Sequence, residues 1–421
     1  MDPGDLSGVP PARRLARIGL GGFALVAAVV GVPPALGQAL TEAEAVRLGL
    51  DRASLRDVLV GSTAAAEAEA AEAALWPNPT LDYERDRVNT DAGHSVEEKW
   101  IVSQAFDFSG RRSLRADAAG QRLEAARAGA RGREAEVVAE VRRTFYENLA
   151  LQRRIQAFRA WLDRLSQAET VVSRLARAGE SSGYDRRRLS RERVTAEARF
   201  AGAEADLERA REKLSALIGR PPGLALEGEL LPPPPLPLPD VLTGLEQQPQ
   251  MQSLAARAAA LEKERLAAER GWVPEVTLGA GPKRVDEPFG TDDGIVIAVS
   301  IPLPVFDRGQ EASRRLAAEA LAARGELGLA RARSQGEARG LWQQAQRLRE
   351  AAIRFRSESV DASRELARVA DAAYRAGEGG VLDLLDAYRT LMEAESEALG
   401  MELNARLSRI ELEQMMGEIP R

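Results

Sequence analysis

The stretch YRAGEGGVLDLLDAYRT, Tyr374 to Thr390, has an earlier echo in LARAGESSGYDRRRLS, Leu175 to Ser190. Both carry Arg-Ala-Gly-Glu, and in each an aspartate follows six residues after the glycine, Asp185 after Gly179 and Asp383 after Gly377. A glycine between two long periodic runs marks the end of one helix and the approach to the next. Two such turns in one chain imply a duplicated helical hairpin.

The duplication extends outward from the turns. A helical run from Thr41 to Leu75 leads into WPNPTLDYERD, then EKWIVSQAFDFSGRR, then a proline-free run from Arg111 to Ala178. The later half repeats that order: a run from Val241 to Arg270, WVPEVTLGAG, GIVIAVSIPLPVFDRGQ, and a run to Ala376. Each half then turns and adds one more helix, to Ile218 and to about Met416. The expected organisation is a leader at 1–39, a first repeat at 40–219 with strands at about 79–108, a proline-rich linker at 220–240, and a second repeat at 241–421 with strands at about 274–303. The linker composition favours an extended, stiff connector.

Helix follows from periodicity and from the lack of breakers. Leu403, Leu407 and Ile410 share one helical face, as do Leu207, Leu214 and Leu217. A continuous helix over the proline-free run would be ~100 Å long, more than one globular core accommodates. Aromatic residues make up only 5% of the 421 residues, which fits long helices rather than a mixed core.

Strand follows from alternation. Ile295, Ile297, Val299 and Ile301 point one way and Val296, Ala298 and Ser300 the other. Tilted strands of ~9 to 11 residues suffice to cross a bilayer. Four of them cannot close a barrel, and an open sheet edge is forbidden in lipid. If these strands span a membrane, several chains share one barrel.

Composition excludes other classes. The net charge of -6 comes without a basic half or tail, which argues against a nucleic-acid partner. Cysteine is absent, so there is no disulfide, thiolate metal site or lipidated amino-terminal cysteine, and the one histidine, His94, is expected in a loop. No phosphate loop, nucleophile–base pair or metal-ligand spacing occurs, and paired acids such as Glu262 and Glu264 lack a catalytic setting. The expectation is no enzyme, no cofactor and no bound metal. Arg13, Arg14 and Arg17 precede an apolar run from Ile18 to Val32 and small-residue sites near Gly37 and Ala39, as in an export signal. An uncleaved membrane anchor is the alternative.

The tandem order, the PNPTL motif, the two glycine turns and VLDLLDAYRTLMEAE together resemble the TolC-like outer-membrane efflux proteins. SIPLPVFDRGQ is especially similar to the CzcC-like branch that serves heavy-metal pumps. The resemblance covers about Thr41 to Met416. It implies a mainly α fold with a membrane β part: a homotrimer in which each chain gives four strands to a shared transmembrane β-barrel and its helices to a long α-helical barrel in the periplasm. The implied function is the passive exit duct of a tripartite pump in a Gram-negative outer membrane, exporting heavy-metal cations or, alternatively, drugs and other small molecules. The implied partners are a periplasmic adaptor, an inner-membrane pump of the RND type and outer-membrane lipid.

By the same resemblance, the hairpin tips at Gly179, Glu180, Gly377 and Glu378 face the adaptor and pump. Asp383 and Asp386 match aspartates that ring the periplasmic gate, and their spacing puts both on one helical face. Carboxylates ~8 Å apart in water repel by only ~0.5 kcal/mol, so such a ring needs tethers to stay closed. Tyr374 and Asp185 match one family tether. A second tether uses an arginine where this chain has Gly379, so the lock is either partial or moved to Arg375 or Arg186. Helix capping accounts equally for Asp185 and Asp383, and the helix dipole for Asp386. Arg186, Arg187, Arg188 and Arg191 form a basic patch near the first tip, either a solvated face or an adaptor contact. A different class, an exported coiled-coil scaffold, explains the helices but not the paired strands.

Overall fold

The computed structural model describes residues 39–91, 93–177 and 182–417; the leader and the tip residues Gly179 and Glu180 lie outside these. The first half contains α1 (Glu42–Leu50), α2 (Ala53–Ala74), β1 (Thr80–Thr90), β2 (Gly93–Phe106), α3 (Arg111–Arg177) and α4 (Gly183–Ile218). The second contains α5 (Leu238–Gly244), α6 (Pro249–Glu269), β3 (Val276–Glu287), β4 (Gly290–Ser300), α7 (Gln310–Arg354), α8 (Asp361–Arg375) and α9 (Val381–Met416). With 67 residues, α3 extends ~100 Å.

The helical runs are less continuous than their periodicity implies. The first breaks between α1 and α2, and the fourth breaks before Pro249, which cannot donate the helix hydrogen bond but suits a first helical position. A six-residue π-helix, Phe355–Val360, separates α7 from α8. No proline or glycine announces it. Ser357 Oγ donates to the carbonyls of Ile353 and Arg354 at 3.2 and 3.1 Å, a side-chain bond that loosens a helical ladder.

The four strands form one antiparallel sheet in the order β1-β2-β3-β4. Paired residues share a face, so Leu81 with Val102, Tyr83 with Trp100, Leu278 with Val299 and Ala280 with Ile297 build one apolar surface. That surface is open: Ile295 and Ile297 are 81% and 78% exposed. Tyr83 and Trp100 stack 4.4 Å apart at one level, while Trp76, Phe106 and Phe108 cluster at the other. Trp100 and Phe106 are six residues apart, roughly 20 Å of strand. The opposite face is polar, with Glu97 bridging Lys99 at 2.7 Å and Lys283 at 2.9 Å. The β2–β3 pairing skips Trp100 and Ile101 opposite Gly281 and Pro282; a Cβ on Gly281 would lie 1.7 Å from the Trp100 carbonyl oxygen.

The helical body has a thin core of small and aliphatic residues, and its middle is tied by polar contacts. Residues 220–240 do not hang free. Arg406 donates to the carbonyls of Glu229, Leu230 and Leu231 at 2.6, 3.0 and 2.9 Å, and Arg349 and Trp342 hold Pro232 and Leu236 at 2.9 and 2.7 Å. Proline-rich backbone has carbonyls without matching N–H groups, and these donors satisfy them. The Arg406 guanidinium also lies 4.4 Å from the Tyr146 ring centre, and burial holds its pKa below the ordinary arginine value. Beside it, burial opposes the charge of Arg142, but Glu413 and Glu42 outweigh that and raise its pKa.

Replacing Arg406 by Met leaves three carbonyls, that of Leu230 buried and the other two part-buried, without their donor. We expect a loss of about 3 kcal/mol, read as a lower denaturant midpoint for the detergent-solubilised full chain.

Candidate functional site

The helix ends that flank the two glycine turns meet in one buried cluster. At the second tip Gly377 adopts φ +77°, a left-handed conformation that ends α8. The N–H groups of Glu378 and Gly379 both reach the Ala373 carbonyl, at 2.9 and 3.2 Å. Gly379 is folded against that turn: a Cβ there would lie 3.3 Å from Ala373 Cβ. The chain then enters α9, where the Asp383 carboxylate accepts from the Gly380 N–H at 3.2 Å. At the first tip Ser182 and Asp185 cap α4 reciprocally: the Asp185 N–H reaches Ser182 Oγ at 3.1 Å, and the Asp185 carboxylate accepts from Ser182 N and Oγ at 3.3 and 2.8 Å.

One buried cluster joins the tips, with Val172 and Leu189 from the first hairpin against Tyr374, Val381 and Leu384 from the second. Tyr374 is thus a packing residue of the tip junction, 6% exposed. Asp383 and Asp386 are exposed on α9, and Asp386 pairs with Arg389 at 2.7 Å. Their face continues through Thr390, Glu393 and Glu397, all exposed. A stripe of four carboxylates therefore climbs from the second tip on the side of α9 away from its packed Leu384 and Leu385.

A tether that the sequence did not reveal lies one turn further in. Tyr388 Oη donates to Asp371 Oδ1 at 2.9 Å, and Arg375 pairs with the same carboxylate at 2.9 Å, fastening α8 to α9. The sole hint was placement, since Asp371 and Tyr388 stand on opposite sides of the glycine turn. Of Arg375 and Arg186, the first is committed here. Arg186 has no ion pair among the described residues.

Burial, and then the hydrogen bond to Asp371, pushes the Tyr388 pKa above its ordinary value of 10.0. A raised folded-state pKa gives stability that is complete below pH 10 and is lost as pH climbs through the folded value. Tyr388→Phe is expected to lose about 1 kcal/mol at neutral pH and to flatten the alkaline arm of a stability profile measured by denaturant titration.

An elongated helical body carrying one small sheet, with an apolar face outward and charges on the other, is the architecture of an outer-membrane channel. The family described as outer membrane efflux protein matches residues 61–220 and 243–418, and the chain belongs to it. The cobalt-zinc-cadmium resistance protein CzcC of Cupriavidus metallidurans is 29% identical over 339 residues, 78% of each chain. The nickel-cobalt-cadmium resistance protein NccC of Alcaligenes xylosoxydans xylosoxydans is 24% identical over 60% of this chain and 58% of its own. The open-state MtrE outer membrane channel of Neisseria gonorrhoeae shares the fold, with a TM-score of 0.73 at 20% identity over 89% of this chain and 88% of that one. Among the described residues no helix is long and apolar enough to cross a membrane.

Proposed function

We propose that three copies of this chain close one barrel and one helical duct, and that the duct carries heavy-metal cations out of the cell. The observation that carries the assembly is the sheet, whose apolar face is lipid-compatible while β1 and β4 leave two unpaired edges. Backbone groups at those edges need partners in hydrocarbon. β1 and β4 run in opposite directions, so β4 of one copy can pair antiparallel with β1 of the next, and four strands per copy close a ring of twelve. A leader at 1–39 would deliver the chain, with residues 40–219 and 241–421 as repeats joined by the linker at 220–240.

The tips, with Gly179, Glu180, Gly377 and Glu378, would meet a periplasmic adaptor and, through it, an inner-membrane pump that supplies the energy. Asp383 and Asp386 would ring the narrow end, extended inward by Glu393 and Glu397. A passive duct has no need to hold its cargo, and among the described residues no cluster of His, Cys, Asp or Glu is placed to bind a metal ion. Carboxylates facing a narrow passage favour cations over anions. Likeness to CzcC and NccC supports metals as the cargo.

Asp185 and Tyr374 would form the latch between first and second tips, with the Asp185 carboxylate shared between Ser182 and the tyrosine hydroxyl. Tyr374→Phe keeps the packing and removes the hydroxyl. The expected result in planar bilayers is a larger single-channel conductance; an unchanged value counts against the latch.

The cargo is tested by growth of a deletion strain on matched panels of divalent metals and amphiphilic drugs, with the wild-type gene restored as control. We expect selective loss of metal tolerance. Selective loss of drug tolerance would overturn the metal assignment and leave a multidrug duct.

A further inference from the structure

All four junctions between helix and strand lie at one end of the sheet, and contacts run from one junction to the next. Arg112 donates to the Ala74 carbonyl at 2.7 Å and covers the Trp76 ring at 4.0 Å. Arg270 donates to the Ser109 carbonyl at 3.0 Å, and a Cβ on Gly271 would lie 2.8 Å from the Arg308 carbonyl oxygen. The Arg308 side chain donates to the Pro304 carbonyl at 3.3 Å. Three guanidinium groups are thus drawn into one collar below the strands.

Their charges are unanswered. Residues 107–115, 270–275 and 305–315 hold seven arginines against four carboxylates, in a chain whose net charge is -6. Two of those carboxylates serve the backbone: Asp107 accepts from the N–H groups of Ser109 and Arg112, and Asp307 from that of Gly309, each at 2.8 Å. Glu275 and Glu311 pair with Arg111 and Arg314 at 3.1 and 3.0 Å. Arg112, Arg270 and Arg308 have no ion pair among the described residues. Each instead rests one N–H on a main-chain carbonyl, which positions the group and leaves other donors of its fork unused. Arg112 also stands in the first turn of α3, where the helix dipole disfavours a cation. A local rule broken without local compensation points to a partner outside the chain.

The surroundings define that partner's chemistry. Phe106 continues the apolar face of β2 from Trp100 and Val102, and the rings of Trp76 and Phe108 lie 6.1 and 6.2 Å from it. Phe108 and Phe306 are 72% and 92% exposed, and Leu303 and Val305 are exposed beside the second. Aromatic rings at the rim of an apolar band mark the boundary between hydrocarbon and water. A ligand for this collar has to offer apolar chains to the rings and negative charge to the arginines at one level. An anionic phospholipid does both.

We propose that Arg112, Arg270 and Arg308 bind the phosphate of anionic phospholipid in the leaflet that faces the helical body, with the acyl chains against Phe106, Phe108 and Phe306. The bonds are charge-assisted, from guanidinium N–H groups to phosphate oxygens. They set the depth at which the strands stand in the bilayer. The assignment rests on the reading of the sheet as the membrane-spanning part.

The test uses the full-length protein in vesicles of dioleoyl phosphatidylcholine mixed with dioleoyl phosphatidylglycerol, one of the two brominated on its chains. Trp76 and Trp272 stand at the collar and are exposed, so quenching of tryptophan fluorescence reports which lipid gathers there. The wild type is expected to prefer phosphatidylglycerol by a factor of roughly five or more, and Arg112→Gln/Arg270→Gln/Arg308→Gln to show no preference. Equal quenching of the wild type by both lipids, or a preference kept by the triple variant, overturns the site and leaves the membrane reading standing. Failure of the wild type to enter vesicles of either composition removes the membrane reading itself. If the triple variant does not fold, Arg308→Gln alone decides, since that side chain is exposed and makes one long bond. It is expected to lower the preference about twofold, and an unchanged value overturns the site. Loss of the wild-type preference on adding millimolar inorganic phosphate would give the arginines to a soluble anion and also overturns the lipid site.

Discussion

Backbone hydrogen bonding in a medium without water is the constraint on which the rest of this structure depends. A sheet edge in hydrocarbon leaves N–H and C=O groups with no acceptor or donor, at several kcal/mol each. Apart from the skipped β2–β3 pairs at Trp100 and Ile101, four antiparallel strands satisfy one another's backbone groups except on the outer sides of β1 and β4. An even strand number has two further consequences. The first and last strands run in opposite directions, so identical copies can pair edge to edge. Both hairpin turns also fall at one end, which sends all the helices out of the other.

That geometry explains the proportions of the helical body. Helices leaving one side of a barrel can only extend away from it, and a hollow assembly gives each helix no deep interior to bury. The core is accordingly a set of narrow stripes, such as Leu189, Ala196 and Ala203 on α4, in which alanine lets helices approach closely. Stripes of this kind do not fix the position of an irregular connector, and here the polar contacts enter. The three carbonyls held by Arg406 place the linker against α9, and the Arg142–Glu413 contact at 2.7 Å ties α3 to the same helix. Buried charges add little net stability, but they tolerate few alternative arrangements.

Much of the architecture was legible because it obeys simple periods. The alternation from Ile295 to Ile301 gave the outward face of β4, and the lack of proline from Arg111 onward gave a helix ending at Arg177. What was not legible depends on partners distant in sequence or on small free-energy differences. Nothing local to Arg406 says that it will hold residues 229–231, since that contact joins groups 175 to 177 residues apart and exists only once the linker lies along α9. The π-helix at Phe355–Val360 differs from an α-helix by a single hydrogen-bond shift, and composition does not encode it. The tips were read in part: the glycine turn and the capping aspartates follow from sequence, whereas the Asp371–Tyr388 tie requires knowing how α8 rotates against α9.

Duplication makes the differences between the halves informative. Both repeats supply a hairpin, yet α3 runs unbroken to its tip, while α7 and α8 are separated by the π-helix. Around that break Val360 packs on Ala394 and Ala398, and Arg356 pairs with the nearly buried Glu402 at 2.7 Å. Below it, α8 packs principally on α9 and is bound there by the Asp371 carboxylate. The α8 side of the second hairpin thus meets the upper body through the π-helix, whereas its other side, α9, and both helices of the first hairpin run on unbroken among the described residues. π-turns within long helices recur at functional sites because they allow a bend without breaking the helix. Arginines of both hairpins pair with carboxylates, as Arg193 does with Glu169 at 3.1 Å and Arg368 with Glu365 at 2.6 Å, and Arg187 and Arg191 are exposed. The asymmetry between the repeats therefore lies in one helical path, α7 and α8 against α3, and not in the hairpins as wholes.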